Sequence, residues 1–432
     1  MAASGTFPPG FLWGAATSAH QVEGNCTKNQ WWAWEQEAGH IRDGAVSGLA
    51  CDHYRRFDDD FRLAAELGHT AQRFSIEWSR IEPEEGRFDE RELDHYRAVC
   101  DSVRRHGMAP TVTLHHFTHP LWVARAGGWE NPRIVDWLAR FAERAGRALG
   151  ERVAIWWTIN EPMVAPVLSY MLGIHPPGVQ DVGRALVVAR HTLLSHGAMY
   201  RALRAVVPGA APVGPVLNMM WFEPLDPGSP EDCAEVEQQD FFVNQWYLDG
   251  ITTGRVQPPC GEGEEVPGLA GSFDVLGLNY YMRILVRAGA PSGLEILRRP
   301  GEPPEFVDEM GWEVHSPGLG GLLRRLAAAG KPLFVTENGH ATLDEEARRR
   351  YLGAHLAQVA DAIAAGADVR GYFYWSLMDN FEWAEGWARH FGLIGLEPGT
   401  LARRPRPAAY FYRDVIVREA LPDDLSSTCR EA

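Results

Sequence analysis

Eight short, nearly continuous apolar runs alternate with longer amphipathic stretches along this 432-residue chain, and that alternation constrains the fold more than any other feature. The runs lie at 11–17, 70–78, 110–117, 153–160, 212–218, 274–281, 332–337 and 370–377. Val153-Ala-Ile-Trp-Trp-Thr-Ile159 shows their character. It is apolar on both faces, as a parallel strand covered by helices must be. Between the runs, Leu93, Tyr96, Cys100 and Val103 recur at helical spacing, as do Ile134, Trp137, Leu138, Phe141 and Ala145. Asp344, three residues before Ala347, opens a further helix that Gly366 stops. Eight strands each followed by a helix predict an α/β fold, a single-domain (β/α)8 TIM barrel with elaborated βα loops. An open doubly wound sheet is disfavoured, because the glycine fingerprint after its first strand is missing. No flexible linker, low-complexity tract or repeat divides the chain. Residues 1–432 therefore read as one domain, with a core of about 11–420 and a tail of about 421–432.

Charge removes several classes of function. Lys plus Arg number 41 against 57 Asp plus Glu, a net charge of −16, which argues against a nucleic-acid partner. No apolar run approaches the ~20 residues of a membrane-spanning helix, so no membrane partner is expected. Met1 to Gly10 lacks the basic and apolar segments of a signal peptide. Cysteines at 26, 51, 100, 233, 260 and 429 form neither a CxxC pair nor a metal-ligand spacing. Free thiols in a cytoplasmic location are expected. The Asn25-Cys26-Thr27 sequon would matter only in a secretory compartment. Gly261-Glu262-Gly263 is too acidic to cradle phosphate. Many of the 16 tryptophans neighbour acidic or amide residues, a pattern suited to sugar clefts and also found in large cores.

Polar residues gather where the runs end. They include Gln21 and Glu23, Arg73, His115 and His116, Asn160-Glu161-Pro162, Asn279-Tyr280-Tyr281, Glu337-Asn338-Gly339, and Trp375 with Glu382 and Trp383 beyond it. In a barrel all eight strand ends face one mouth, so residues far apart in sequence converge there. Buried polar side chains are costly unless they are paired or used. Glu161 and Glu337 form a pair able to break a glycosidic bond, one protonating the departing oxygen and the other attacking the anomeric carbon. Arg73 is the candidate to keep one of them ionised. Spacing alone leaves a structural ion pair inside the barrel equally open. His115, His116 and His119 raise a metal hypothesis, but adjacent strand residues point to opposite faces. No carboxylate ligand sits nearby, so a metal-free hydrogen-bonding role for His116 is favoured. Aperiodic stretches at 219–232, 254–273 and 284–315 are expected to build the mouth.

In order along the chain stand Phe11-Leu-Trp-Gly-Ala-Ala-Thr-Ser18, Gln21-Val-Glu-Gly24 and Arg73-Phe-Ser-Ile-Glu-Trp-Ser-Arg80. Thr158-Ile-Asn-Glu-Pro162, Gly277-Leu-Asn-Tyr-Tyr281, Val335-Thr-Glu-Asn-Gly339 and Trp375-Ser-Leu-Met-Asp-Asn-Phe-Glu-Trp-Ala-Glu-Gly386 follow. Together, from Phe11 to about Tyr412, they resemble glycoside hydrolase family 1, the β-glucosidase family. The resemblance implies a retaining β-glycosidase with no cofactor and no metal, its partner a small-molecule β-glycoside. Glu161 takes the place of the family's acid/base and Glu337 that of its nucleophile, with the carboxyls about 5–5.5 Å apart. Asn160 matches the residue that holds the sugar 2-hydroxyl. Arg73 and Tyr281 match the groups that orient Glu337, and Asn279 stands with them as catalytic support. Gln21, His116, Glu382 and Trp383 match the set that reads hydroxyls, Trp375 the stacking platform, and Phe391 a further pocket position.

Substrate class follows from the same segment. Relatives acting on 6-phosphosugars are similar to one another in carrying Ser at the Glu382 position and Lys and Tyr further on. Here Glu382 would repel phosphate, and Arg389 and Phe391 stand where Lys and Tyr would be. A non-phosphorylated β-D-glucoside is therefore expected, with β-galactosides and β-fucosides tolerated. Phe117, Met163 and His390 depart from the family's more usual Trp, Trp and Arg. They put substrate preference in question and leave the Glu pair untouched. Position alone assigns Trp122, Asn218, Trp312 and the 219–232 loop to the aglycone side. Transglycosylation by the same intermediate, or a non-catalytic sugar-binding barrel, are the alternatives. The two carboxylates and Arg73 argue against the second.

Overall fold

The structure is a computed structural model that describes residues 5–290, 297–299 and 307–422. Each apolar run forms a strand: β1 (Leu12–Ala16), β2 (Ala71–Ser75), β3 (Ala109–His115), β4 (Ile155–Asn160), β5 (Val213–Asn218), β6 (Leu276–Asn279), β7 (Leu333–Asn338) and β8 (Val369–Trp375). They close into a ring of order β1-β8-β7-β6-β5-β4-β3-β2. Every neighbouring pair is parallel. A helix returns after each strand: α1 (His53–Glu66), α2 (Glu90–Arg105), α3 (Ile134–Leu149), α4 (Val182–Arg204), α5 (Trp246–Thr253), α6 (Ser316–Ala327), α7 (Glu345–Ala364) and α8 (Pro407–Arg418). This is the expected (β/α)8 barrel.

Local chemistry explains the elements. All six residues of β4 are buried, as its unbroken apolar pattern requires. Helix α3 turns Ile134, Trp137, Leu138, Phe141 and Ala145 into the core. Asp344 caps α7 by accepting from the Glu346 and Ala347 N–H groups, and Gly366 beyond its end takes a left-handed φ of 99°. Two apolar layers result. An outer one fills the space between strands and helices, and an inner one, including Ile155, Trp157, Phe334 and Phe373, packs within the ring.

Strand alternation breaks where the polar residues sit. In β4 the inner layer holds Trp157 and the outer one Ile159, yet Asn160 turns inward again to reach Arg73. The β4–β5 register shifts between Trp157 and Asn160, and the β6–β7 register shifts between Val335 and Glu337. Such irregularities re-aim side chains. Gly339 lets the end of β7 close on β8, since a Cβ there would overlap the Trp375 carbonyl oxygen.

Three expectations are corrected. Residues 254–273 do not build the mouth. They follow α5 and precede β6, and Asp274 Oδ2 accepts from the N–H of Val213 at the start of β5, the opposite end of the barrel. The helical stretch Pro230–Thr253, which carries the chain back down, has a weak apolar stripe broken by acids and amides. The 219–232 loop contains a strand, Trp221–Pro224, paired in parallel with Arg283–Val286, and ends in the helix that begins at Pro230. Trp122 does not face the acid pair: it lies on the short helix Leu121–Arg125, wedged between Trp78 and Trp137, its indole N–H donating to the Glu82 carbonyl at 2.9 Å. That helix is packed against the outer layer, so the ring is held there by its neighbours. Cys429, the tail from residue 423, the first four residues and parts of the 284–315 loop lie outside the described residues.

Candidate active site

At the C-terminal end of β7, Glu337 is only 3% exposed, and both its oxygens are engaged. Oε1 accepts from Arg73 Nη1 at 2.5 Å, and Oε2 accepts from the Tyr281 hydroxyl at 2.7 Å. Arg73, 1% exposed at the middle of β2, is itself fixed. Its Nε donates to Thr113 Oγ1 at 3.2 Å, Nη1 to the Thr336 carbonyl at 3.1 Å and Nη2 to Asn160 Oδ1 at 2.7 Å. A planar fork held at three nitrogens cannot swing away from the carboxylate. Removing Arg73 alone would leave a buried charge uncompensated, at a cost of about 3–5 kcal/mol. Burial, followed by the charge of Glu337, raises the Tyr281 pKa well above its usual value, so its hydroxyl stays a donor.

Glu161 follows directly on β4 with a left-handed φ of 52°. Phe117 and Trp383 share that conformation, at φ 68° and 48°. For residues with a Cβ this is strained backbone, which a surrounding structure must enforce. Glu161 Oε1 accepts from Asn279 Nδ2 at 2.7 Å. Burial, followed by the charge of Glu337, pushes the Glu161 pKa up. Two carboxyls buried close together resist carrying two charges, which favours the protonated form of Glu161. Asn279 ties the site together, since its Nδ2 also meets Asn160 Oδ1 at 3.1 Å while its Oδ1 accepts from Thr336 at 2.7 Å. Asn160 Nδ2 lies 3.2 Å from His116 Nε2. Burial, then the nearby Arg73 charge, holds His116 well below the usual histidine range. It is a neutral ring, stacked 5.9 Å from Trp375, and its Nδ1 is buried without a protein partner.

The opposite wall comes from the loop after β8 and the short helix Ala19–Val22. Gln21 Nε2 donates to Asn380 Oδ1 at 2.8 Å, to the Phe381 carbonyl at 2.9 Å and to Glu382 Oε2 at 3.3 Å. Burial and then the Glu337 charge push Glu382 up to about 8. Trp383 is stacked on His20 at 5.6 Å. Aromatic faces beside amide and carboxyl groups suit a ring with an apolar C–H side and a rim of hydroxyls.

The structure thus gathers Gln21, Arg73, His116, Asn160, Glu161, Asn279, Tyr281, Glu337, Trp375, Glu382 and Trp383 into one cluster of contacts. Phe391 and Trp312 flank Tyr281 at 6.2 and 5.3 Å, and Asn218 ends β5 beside Asn279. Trp122 alone of the expected set is elsewhere. Sequence reasoning missed Thr113, Thr336 and Asn380, which hold Arg73, Asn279 and Gln21. Asn380 lies inside the Trp375–Gly386 motif and could have been noticed there. His115 turns away, packed on Trp129 at 5.1 Å. Among the described residues no three His, Cys, Asp or Glu side chains gather as a metal-binding group.

The model of glycosyl hydrolase family 1 matches residues 3–420. Beta-glucosidase A of Thermotoga maritima is 33% identical over 96% of this chain and 99% of its own length. Thermostable beta-glucosidase B of Thermobispora bispora is 37% identical over 96% of this chain and 92% of its own. Among solved structures, a family 1 b-glucosidase from Thermotoga maritima in complex with isofagomine lactam superposes with a TM-score of 0.90. It is 31% identical, over 96% of this chain and all of that one. A beta-glycosidase from Pyrococcus horikoshii superposes with a TM-score of 0.88 at 37% identity over 97% of both chains. A closed barrel, an acid pair at the ends of β4 and β7, and a match over nearly the whole length together place this chain in glycosyl hydrolase family 1.

Proposed function

We propose that this protein is a retaining β-glucosidase acting on non-phosphorylated β-D-glucosides, with β-galactosides and β-fucosides tolerated. The observation that carries the reading is the contrast between the two acids. Glu337 receives hydrogen bonds from Arg73 and Tyr281 on its two oxygens, while Glu161, in the same cavity, has its pKa raised by burial and by Glu337. The relatives' names and the isofagomine lactam complex support a sugar-sized ligand.

In the first half-reaction Glu337 attacks the anomeric carbon as a carboxylate, while Glu161 gives its proton to the departing oxygen. The bond to the departing oxygen breaks as the Glu337 ester forms, so Glu337 becomes neutral and Glu161 is left ionised; Glu161 then takes a proton from water. That water attacks the same carbon and releases Glu337. Arg73 and Tyr281 hold one Glu337 rotamer through both steps, and Asn160 faces the 2-hydroxyl, where contacts strengthen in the oxocarbenium-like transition state. Glu382, Gln21 and His116 read the remaining hydroxyls. Glu382 supplies no cation to hold a phosphate at the sugar's far end. The barrel acts as a single catalytic domain without cofactor, and the unpaired Cys26, Cys51, Cys100, Cys233 and Cys260 suit a cytoplasmic setting.

Hydrolysis of an aryl β-glucoside followed by proton NMR tests this. The first-formed sugar is the β-anomer, and Glu337→Ala abolishes its release. A first-formed α-anomer, or undiminished turnover in that variant, overturns the proposal.

A further inference from the structure

Tyr281 reaches Glu337 from a ring held on two sides. Trp312 lies 5.3 Å from its centroid and Phe391 6.2 Å, and these two rings also meet each other at 6.2 Å. Trp312 belongs to the chain between β6 and β7, Phe391 to the chain after β8. Neither loop carries regular structure at these positions, so something must fix one against the other.

The residue that joins them is Glu309. Its Oε2 accepts from the backbone N–H of His390 at 3.0 Å and lies 3.0 Å from His390 Nδ1. One carboxylate oxygen thus meets both nitrogens of the residue immediately before Phe391. The Glu309 N–H donates to the Ala341 carbonyl at 2.9 Å, which adds the loop after β7. On the other side, Asp308 closes a tight turn that presents Trp312, its Oδ1 accepting from the Met310 and Trp312 N–H groups at 2.9 Å each. Arg348 on α7, with no exposed side-chain surface, completes the knot. It donates to the carbonyls of His340 at 3.0 Å, His390 at 3.0 Å and Phe391 at 2.8 Å, and to that of Thr342. Burial alone would raise the Glu309 pKa, but the two bonds from His390 outweigh it and hold the carboxyl below its usual value.

We propose that Glu309 and His390 are positioning residues, a clasp between the loops after β6 and β8 that sets the Tyr281 ring and, through it, the Tyr281–Glu337 hydrogen bond. The proposal takes Glu337 to be the nucleophile, as above. Neither clasp residue touches the reacting atoms. They act by locking two aromatic walls whose separation decides where the Tyr281 hydroxyl stands.

A double-mutant cycle reads this directly. Glu309→Ala and Tyr281→Phe are made singly and together, and kcat and KM for an aryl β-glucoside are measured with melting temperatures. Glu309→Ala is expected to lower kcat about 10-fold with KM within about 2-fold, and the double variant to be no slower than Tyr281→Phe alone. Multiplied losses in the double variant overturn the clasp, as does a wild-type kcat in Glu309→Ala. Should Glu309→Ala fail to fold, Glu309→Gln and His390→Ala run the same cycle with the same readings. The rate of inactivation of the wild type by a 2-deoxy-2-fluoro β-glucoside, and the residue it labels, separate the two claims. A label elsewhere than Glu337 removes the premise, whereas additive losses with Glu337 labelled remove only the clasp.

Discussion

Asn279 donates one side-chain N–H to Glu161 at 2.7 Å, and in the β6–β7 pairing it stands directly opposite Glu337. One residue therefore bonds Glu161 through its side-chain amide and pairs with Glu337 through its strand, without carrying charge itself. It lowers the Glu161 pKa less than burial and Glu337 raise it, which leaves Glu161 a proton to give.

Replacing Glu161 by Gln removes that proton. Aryl glucosides with poor leaving groups are expected to lose at least about 100-fold in kcat/KM, whereas a dinitrophenyl glucoside, which departs unaided, keeps most of its glycosylation rate. Steady-state kinetics across a leaving-group series measures the slope. Equal losses throughout would count against the acid role.

Glu337→Gly removes the proposed nucleophile and opens space where it stood. Turnover is expected to fall by about 1,000-fold or more, and millimolar azide to restore it by forming an α-glycosyl azide. Product stereochemistry by NMR decides; a β-azide, or no rescue at any concentration, would contradict the assignment.

The raised Glu161 carboxyl also links pH to stability. Between the ordinary Glu value of about 4.3 and its own higher one, the folded protein binds a proton that the unfolded chain has lost. Stability from this group therefore falls as pH rises through that window. Glu161→Gln, which has no proton to lose, is expected to melt above the wild type at about pH 7.5, with the gain shrinking towards about pH 4.5. In the wild type, kcat/KM declines on the alkaline side as the same proton leaves.

In the proposed function Glu382 reads the sugar's hydroxyls, and its Oε2 accepts from Gln21. Glu382→Ser is expected to lower kcat/KM for glucosides about 10–100-fold, as unpaired hydroxyls are left in the pocket. Parallel assays with a 6-phosphoglucoside should give no turnover in the wild type. Efficient cleavage of that phosphate ester's glycosidic bond would refute the substrate class.

Much of this protein is written locally. The strand runs are legible because each strand is buried on both faces, and the helices because their stripes recur at about 3.6 residues. Asp344 and Gly366 mark α7 by side-chain and backbone chemistry that needs no distant partner. The placement of Glu161 and Glu337 at strand ends follows from the same pattern, and once eight strands close, their ends must meet. What a repeat cannot state is the direction in which a loop residue turns. Trp122 and Trp312 look alike in sequence, yet one is wedged among Trp78, Trp137 and Glu82 while the other stands beside Tyr281. The descent of residues 254–273 to the far end was hidden by the weak stripe of the helix before it. Likewise only the closed ring brings Arg73 to Glu337 and Asn380 to Gln21, and only register shifts turn Asn160 inward after Ile159. Short-range order is set by propensities and burial within one segment. Contacts across hundreds of residues depend on strand register and loop packing, which many segments settle jointly.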